Sequence, residues 1–285
     1  MSNSIRKHDR FVGVDLGGTN VRAGLVQNGK ITALNTRPIS SQAAQGIVID
    51  EICETIAAVL HPKSLGIGIG VPSLAHNGVV FSPNNIPSWK KVPLQKILQR
   101  RFGLPVFVDN DANCFALGEL HYGKGRRRKN LVGVILGTGL GSGVIINGKL
   151  YSGHNGGAGE IGNATYRDKN FEYYCSGRVF SREYGLNGYE LQQHAEAGNR
   201  KAQAAFAALA NDLAEVIKTI LYAYDPEMIV LGGSVSKALP FFEKQLWKKL
   251  ETFRFQSSLK RLKIVQSEKA NIAILAAAAL CLDKQ

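Results

Sequence analysis

The sequence predicts an α/β protein of two lobes, each opening on a glycine-turned β-hairpin. Three observations lead there. The stretch "VGVDLGGTNVRAGLVQNGKI" (Val12–Ile31) is nearly repeated as "VGVILGTGLGSGVIINGKL" (Val132–Leu150). The 285 residues suffice for two lobes, each with its own core. The composition, 45% hydrophobic and 20% charged with 31 glycines, is that of a soluble globular chain rich in tight turns.

In the first copy Phe11–Leu16 alternates and is rich in β-branched residues. Gly17-Gly18-Thr19-Asn20 breaks the run, Val21–Val26 resumes it, and Asn28-Gly29 closes a second turn, because Asn-Gly accepts the positive φ angles of a two-residue hairpin. The second copy reads as strand Leu131–Leu136, a glycine-rich turn from Gly137 to Gly143, strand Val144–Ile146 and the turn Asn147-Gly148. Between the copies, Val106–Val108 is a strand that runs into the helical spacing of "ANCFALGEL". Arg200–Tyr224 reads as a long helix, and "MIVLGG" as a buried strand stopped by Gly232-Gly233-Ser234. The apolar run Asn271–Leu282 is strongly helix-forming and needs a partner surface. The expected division is a small lobe of residues 1–112 with 270–285, and a large lobe of 113–269.

A glycine-rich turn after a strand raises the question of a phosphate cradle. The second copy spells GxGxGxG rather than GxGxxG and leads into a strand, which disfavours a dinucleotide fold; no GxxxxGK[ST] loop is present either. A cradle here must use the hairpins' own backbone N–H groups, at Gly17, Gly18, Thr19 and Asn20 and at Gly137, Thr138 and Gly139. One such turn alone is ordinary; two with threonine at corresponding positions favour the cradle. Two hairpins can hold the two ends of a polyphosphate, whereas a divalent metal on its oxygens needs an acid on one side only. Asp15, replaced by Ile135 in the second copy, is the expected Mg²⁺ carboxylate, acting through water.

The formal charge of +13 favours anionic partners, and a phosphate-bearing substrate accounts for its sign. The basic runs Lys124–Lys129 and Lys260–Lys263 lack interleaved aromatics or a helix-turn-helix, so they read as solvated loops and no nucleic-acid partner is expected. The polar N-terminal stretch has no signal-peptide core, and the apolar run Ala273–Leu282 is about half the ~20 residues of a membrane span. A cytoplasmic protein without membrane contact is expected. Cys53, Cys114, Cys175 and Cys281 form no CxxC pair and read as reduced, buried thiols.

"GVDLGGTN", "GTGLGSG" and "GGAGEIG" (Gly156–Gly162), with "SPNNIPSW" (Ser82–Trp89), "VDNDANCFALGE" (Val108–Glu119) and "YDPEMIVLGGSV" (Tyr224–Val235) in the same order, resemble the ROK family of sugar kinases, repressors and related open reading frames. That resemblance implies the ribonuclease-H-like fold of the actin, hexokinase and Hsp70 superfamily, two lobes flanking a cleft, with ATP and Mg²⁺ as cofactors and a homodimer as the assembly. From the residues alone, Asp109 or Asp111 could cap the following helix or serve as a base at a strand-to-helix corner. The resemblance assigns the general base to Asp111. It also implies that Asn110, Glu160 and Glu183 bind the sugar, with either Asn84 or Asn85, and that Gly232, Gly233 and Ser234 form the adenosine-side loop.

The sequence departs from the pattern of the family it resembles after the EIG motif. Family members continue EIGH and then CxCGxxGCxE, a zinc site of one His and three Cys; here the four positions hold Asn163, Tyr174, Ser176 and Ser181, none a strong zinc ligand. No structural zinc is expected, and Phe171, Tyr173, Tyr174 and Phe180 are expected to hold Glu183 by aromatic packing instead. Because the family's His also touches the sugar, Asn163 is a candidate sugar contact and the sugar need not be glucose. Two alternatives stand against a kinase. A DNA-binding regulator of this family carries a helix-turn-helix domain before the first hairpin, where this chain has about ten residues; a catalytically silent sugar binder has no need of both Asp15 and Asp111.

Overall fold

The computed structural model describes residues 9–83 and 85–283, and the chain divides into two compact units. The first takes the chain up to Arg126, Lys149–Ala158 and the C-terminal segment from Lys269; the second takes Arg127–Gly148 and Gly159–Glu268.

In the first unit β1 (Arg10–Leu16), β2 (Asn20–Gln27) and β3 (Lys30–Pro38) form an antiparallel meander. β4 (Gly66–Val71) pairs parallel with β1, and β8 (Val106–Asn110) parallel with β4, giving the order β3-β2-β1-β4-β8. The short strands β5 (Ala75–His76), β6 (Val79–Phe81) and β7 (Lys91–Val92) make a small sheet of their own. The two-residue alternation of strands sorts the faces. Val12, Val14, Leu16, Ile67, Ile69 and Val71 join a core with α1 (Gln45–Ala57) and α2 (Leu94–Phe102).

Gly13, Gly24 and Gly68 alternate with those apolar residues and lie in one row across three strands, Gly13 pairing with both others. The C-terminal helix α10 (Ile272–Asp283) is seated on them. A Cβ built on Gly13 would stand 1.9 Å from the Ile274 carbonyl oxygen, and one on Gly68 1.9 Å from that of Ala277. Glycine here marks close approach of a second backbone, and it lets the Ile274–Cys281 stretch of the helix be wholly buried. The partner surface that the apolar run requires is therefore this sheet together with α3 (Asp111–Tyr122).

The second sheet repeats the plan. β9 (Leu131–Leu136) and β10 (Leu140–Ile146) form the hairpin, β11 (Lys149–Leu150) edges it, and β14 (Met228–Gly232) and β15 (Lys263–Gln266) follow in parallel, in the order β11-β10-β9-β14-β15. β12 (Thr165–Tyr166) and β13 (Lys169–Asn170) form a separate hairpin ahead of α4 (Phe171–Cys175), α5 (Arg178–Tyr184) and α6 (Gly188–Glu196). The long helix α7 (Arg200–Tyr224) is capped by the Asn199 side chain, which accepts from Lys201 and Ala202 N–H, and it ends at Asp225 with φ 41°. Phe206, Leu213 and Ile217 of α7 share a core with Phe242 and Leu246 of α8 (Leu239–Leu250); α9 (Gln256–Arg261) closes the helical series.

Two expectations are corrected. The second hairpin turns at Gly137–Gly139, and β10 begins at Leu140 rather than Val144, because Gly141 and Gly143 carry the ladder's backbone hydrogen bonds as well as any residue. A boundary after residue 112 falls inside α3, which packs along its length on α10 and joins the first unit; the division comes at Arg126 instead.

Candidate active site

In a parallel sheet, the space beyond the carboxyl ends of the strands is where ligands sit. In the first unit those ends belong to β1, β4 and β8, and they carry Asp15, Gly70 and Asp109 in one aligned row. Adjacent strands lie ~4.8 Å apart, so the ends of β1 and β8 are separated by roughly 10 Å. Gly70, between them, has no side chain of its own, and Cys114 of α3 packs against it, with its Sγ 3.3 Å from where a Cβ would stand.

The β1–β2 turn is closed by Gly17 N–H donating to the Asn20 carbonyl at 2.9 Å, and the Thr19 carbonyl accepts from Ile39 N–H at 3.0 Å. The Asn20 amide donates to Thr19 Oγ1 at 3.2 Å, with both residues exposed. Asp15 is paired with Arg22, directly opposite on β2, whose Nη2 and Nε reach Asp15 Oδ2 at 2.5 and 3.1 Å. In the second hairpin the corresponding residues are Ile135 and Gly141, also a cross-strand pair, so the ion pair is peculiar to the first copy. Arg22 was missed by motif reading, although a turn at Gly17–Asn20 fixes Asp15 opposite Arg22.

Asn85 was a candidate sugar contact. Its amide lies against the Gly17–Asn20 turn, where a Cβ on Gly18 would meet Asn85 Nδ2 at 2.9 Å, and its Oδ1 is buried without a hydrogen-bond partner among the described residues. Asn84 lies outside the described residues.

At the β8–α3 corner the three polar residues divide the work. Asp109 is buried and accepts from Asn110 N–H and Asn113 Nδ2, each at 2.8 Å. Asn110 is the N-cap: its Oδ1 accepts from Ala112 N–H at 2.8 Å and Asn113 N–H at 3.3 Å, while its Nδ2 donates to the Ser73 carbonyl at 3.2 Å. Asp111, in the first turn and half-buried, keeps Oδ1 at 2.8 Å from Ala112 N–H. The capping role open to Asp109 or Asp111 thus falls to Asn110, whose Oδ1 is taken up by two N–H groups and whose amide keeps one proton for a ligand.

In the second unit the β9–β10 turn is closed by Gly137 N–H donating to the Gly139 carbonyl at 3.0 Å, with Thr138 exposed. The Gly137 carbonyl accepts from Gly177 N–H at 2.7 Å, and Glu172 Oε2 accepts from Leu140 N–H at 3.0 Å. The segment that replaces the family's cysteine motif is therefore fastened to the Gly137–Gly139 turn. Glu172 escaped sequence reading because nothing local marks a carboxylate that bonds 32 residues back. Gly232 pairs with Ile135 at the end of β14, and Gly233 and Ser234 are exposed beyond it, Gly233 with φ +84°.

The GEIG turn is pressed onto β10: a Cβ on Gly159 would stand 2.4 Å from the Ser142 carbonyl oxygen, and one on Gly162 2.2 Å from that of Leu140. Ser142 Oγ donates to the Gly159 carbonyl. This seats Glu160, exposed, ahead of a short 3-10 turn (Ile161–Asn163), and Asn163 Nδ2 donates to Glu160 Oε2 at 2.8 Å.

The four positions of the family's zinc ligands do not suit that metal. The Asn163 amide is committed to Glu160, the Tyr174 hydroxyl donates to Asp168, Ser176 Oγ is buried without a hydrogen-bond partner among the described residues, and Ser181 is exposed. Burial drives the Cys175 thiol well above its usual range, away from the thiolate that zinc requires. No cluster of three or more His, Cys, Asp or Glu occurs among the described residues.

The aromatic residues occupy this region differently from expectation. Phe171 stacks on Tyr166 at 4.6 Å between ring centroids, Tyr174 meets Tyr166 edge-on, and Arg167 lies 4.9 Å from both tyrosine rings. Arg167 also pairs with the nearly buried Asp212 at 2.5 Å, and Tyr166 donates to the same carboxylate oxygen at 3.0 Å. Burial raises the Asp212 carboxyl against these two partners and pushes Tyr166 up to about 12. Phe180 turns into the helical core against Phe206. Glu183 is exposed and is held by its neighbour Arg182 at 2.7 Å, which in turn lies 3.6 Å over the Tyr173 ring. Of the four aromatics, Tyr173 alone reaches Glu183, and through an arginine.

The chain aligns over 95% of its length with 98% of a ROK family glucokinase from Streptomyces griseus, solved in complex with glucose and AMPPNP, at a TM-score of 0.81 and 26% identity. Two sheets of the same order place it in the actin, hexokinase and Hsp70 fold class. The ROK family model matches residues 11–284, and the chain belongs to the ROK family. It is 33% identical to the glucokinase of Thermotoga maritima, covering 80% of this chain and 83% of that one. It is 29% identical to the N-acetyl-D-glucosamine kinase of Salmonella paratyphi B, over 79% and 84% respectively. This kinship supports sugar phosphorylation as its chemistry. Among the described residues no helix is long and apolar enough to cross a membrane.

Proposed function

We propose that the chain is an ATP-dependent kinase of a hexose or hexose derivative, with Asp111 as general base. The observation that carries this reading is the division of labour at the β8–α3 corner. Asn110 supplies the cap, so the rigidly placed Asp111 carboxylate is not needed for it. In the reaction Asp111 takes the proton of the sugar hydroxyl as that oxygen attacks the γ-phosphorus and the bond to the β-phosphate oxygen breaks, releasing ADP. Asn110, Glu160, Asn163 and Glu183 are assigned to sugar hydroxyls, with Asn84. Asn85 is reassigned to bracing the first phosphate turn, on its contact with Gly18.

Gly17, Gly18, Thr19 and Asn20 in the first unit and Gly137, Thr138 and Gly139 in the second are assigned to the phosphates, and Gly232, Gly233 and Ser234 to the adenosine. Glu172 holds the Gly137–Gly139 turn through Leu140 N–H. Mg²⁺ would neutralise charge on the phosphate oxygens. Arg22 occupies Asp15 Oδ2, so the remaining oxygen, Oδ1, fits a metal-bound water rather than the metal itself. The homodimer implied by the family resemblance belongs to this reading, and the exposed pair Tyr222 and Phe255 offers apolar surface for it.

The test of the reading is ADP formation from Mg-ATP against a panel of hexoses, amino sugars and N-acetylated sugars. Turnover of at least one is expected; sugar binding with no turnover of any would favour a silent sugar binder. The Asn163 amide that holds Glu160 replaces a bulkier imidazole, which favours a sugar other than glucose within that panel.

Asp15→Ala is expected to lower kcat/KM for Mg-ATP about 100-fold, ~2.7 kcal/mol, with sugar affinity nearly unchanged. Equal losses in both affinities, in a folded variant, would contradict the assignment of Asp15 to the metal and nucleotide alone.

The purified protein is expected to hold no stoichiometric zinc, and a chelator too weak to strip Mg²⁺ from the assay should alter neither stability nor activity. Elemental analysis giving about one zinc per chain would sink this part of the reading.

A further inference from the structure

The basic run Lys124–Lys129 takes no part in the reaction described, and the first unit gives its beginning a definite place. The carboxylate of Glu119, fully buried in α3, accepts from Lys124 N–H at 2.8 Å, and the Glu119 carbonyl accepts from Gly125 N–H at 3.0 Å. The loop is thus folded back onto the end of α3, and Arg126 is carried to a fixed position. There a cavity of about 330 Å³ is lined by Asn28, Lys30, His121, Tyr122, Arg126 and Lys269.

Its charge is one-sided. Lys30 comes from the start of β3, Arg126 from the basic loop and Lys269 from the segment ahead of α10, and no acid is among the lining residues. Among the described residues Lys30, Arg126 and Lys269 have no carboxylate within 4 Å. Three like charges converging on one concavity repel one another, and an anion between them relieves that repulsion. The other lining groups are hydrogen-bonding and neutral at physiological pH: burial lowers the His121 imidazole, against the nearby Asp283, and pushes the Tyr122 hydroxyl up to about 12. The Asn28 side chain adds an amide.

The site is separate from the reaction. Asp111 and Tyr122 stand at opposite ends of α3, whose 12 residues span ~18 Å. The Gly17–Asn20 turn and Asn28 stand at opposite ends of β2, whose eight residues span ~27 Å.

We propose that this cavity is a binding site for a small ligand with clustered phosphate oxygens, either a free oligophosphate or a phosphate ester. The cations supply charge-assisted hydrogen bonds to the phosphate oxygens; the cavity is too small for more than a few phosphates or one sugar phosphate.

The test is calorimetric titration of the full chain in magnesium-free buffer. Tripolyphosphate, a hexose monophosphate and inorganic phosphate are titrated in turn, and a single-stranded oligodeoxynucleotide last. One of the first two is expected to bind at least tenfold more tightly than inorganic phosphate, and which of them does so distinguishes the free oligophosphate from the ester. The variant K30Q/R126Q/K269Q, altered only at exposed side chains, should lose at least tenfold of that affinity while its KM for Mg-ATP is unchanged. R126Q alone should lie between the two. Binding unaltered in the triple variant, or tighter binding of the oligodeoxynucleotide than of either small phosphate, would overturn the proposal.

Discussion

Asp111→Asn is expected to lose phosphoryl transfer by about 1,000-fold or more while sugar affinity stays within about tenfold. A positioned general base contributes roughly 10²–10⁴ to rate, and 10³ corresponds to ~4 kcal/mol of transition-state stabilisation. The amide keeps the shape and an acceptor oxygen, so Oδ1 can still face Ala112 N–H and α3 keeps its cap at Asn110. The damage should therefore fall on kcat rather than on folding or binding. A variant that retains a tenth of the wild-type rate would exclude Asp111 as an essential base.

Gly13→Ala is expected to destabilise the first unit by about 3 kcal/mol, at the upper end of overpacking costs. The added Cβ meets the Ile274 carbonyl oxygen at 1.9 Å, and because that atom is backbone, no change of rotamer relieves the clash. Helix α10 must lift from the sheet, and the burial of Ile274–Cys281 is lost in part. Gly46→Ala is the control: it lies in α1, a Cβ there meets nothing within 4 Å, and alanine should stabilise that helix by up to ~1 kcal/mol. Denaturant midpoints followed by circular dichroism separate the two. Equal midpoints for Gly13→Ala and the wild type would show that α10 is not seated on the glycine row.

The elements that position the site were legible because they rest on local signals. Asn28-Gly29 and Asn147-Gly148 adopt the positive φ angles expected of them, α7 spans Arg200–Tyr224 as its periodicity requires, and the Phe11–Leu16 alternation does sort one face from the other. The turn glycines were legible, but Gly13, Gly24 and Gly68 were not legible as a seat for α10, since that role depends on a helix about 200 or more residues away in the chain. The same limit hid Glu172. The cap at Asn110 was missed for a different reason: Asp and Asn are about equally good caps, so three consecutive candidates cannot be ranked without the backbone. Phe171, Tyr173, Tyr174 and Phe180 were expected to hold Glu183, but Phe171 and Tyr174 gather around Tyr166 and Arg167, and Phe180 joins the helical core. Composition carries no information about which aromatic faces which neighbour.

The central claim, that this chain moves the terminal phosphate of ATP to a sugar hydroxyl, is tested most directly by following radiolabel from the γ-position of Mg-ATP in the presence of each sugar that the protein binds. The account predicts labelled sugar phosphate in amounts equal to the ADP formed, from wild type and not from Asp111→Asn. Sugar binding at the wild-type site with no transfer of label, or label released only as inorganic phosphate, would contradict it.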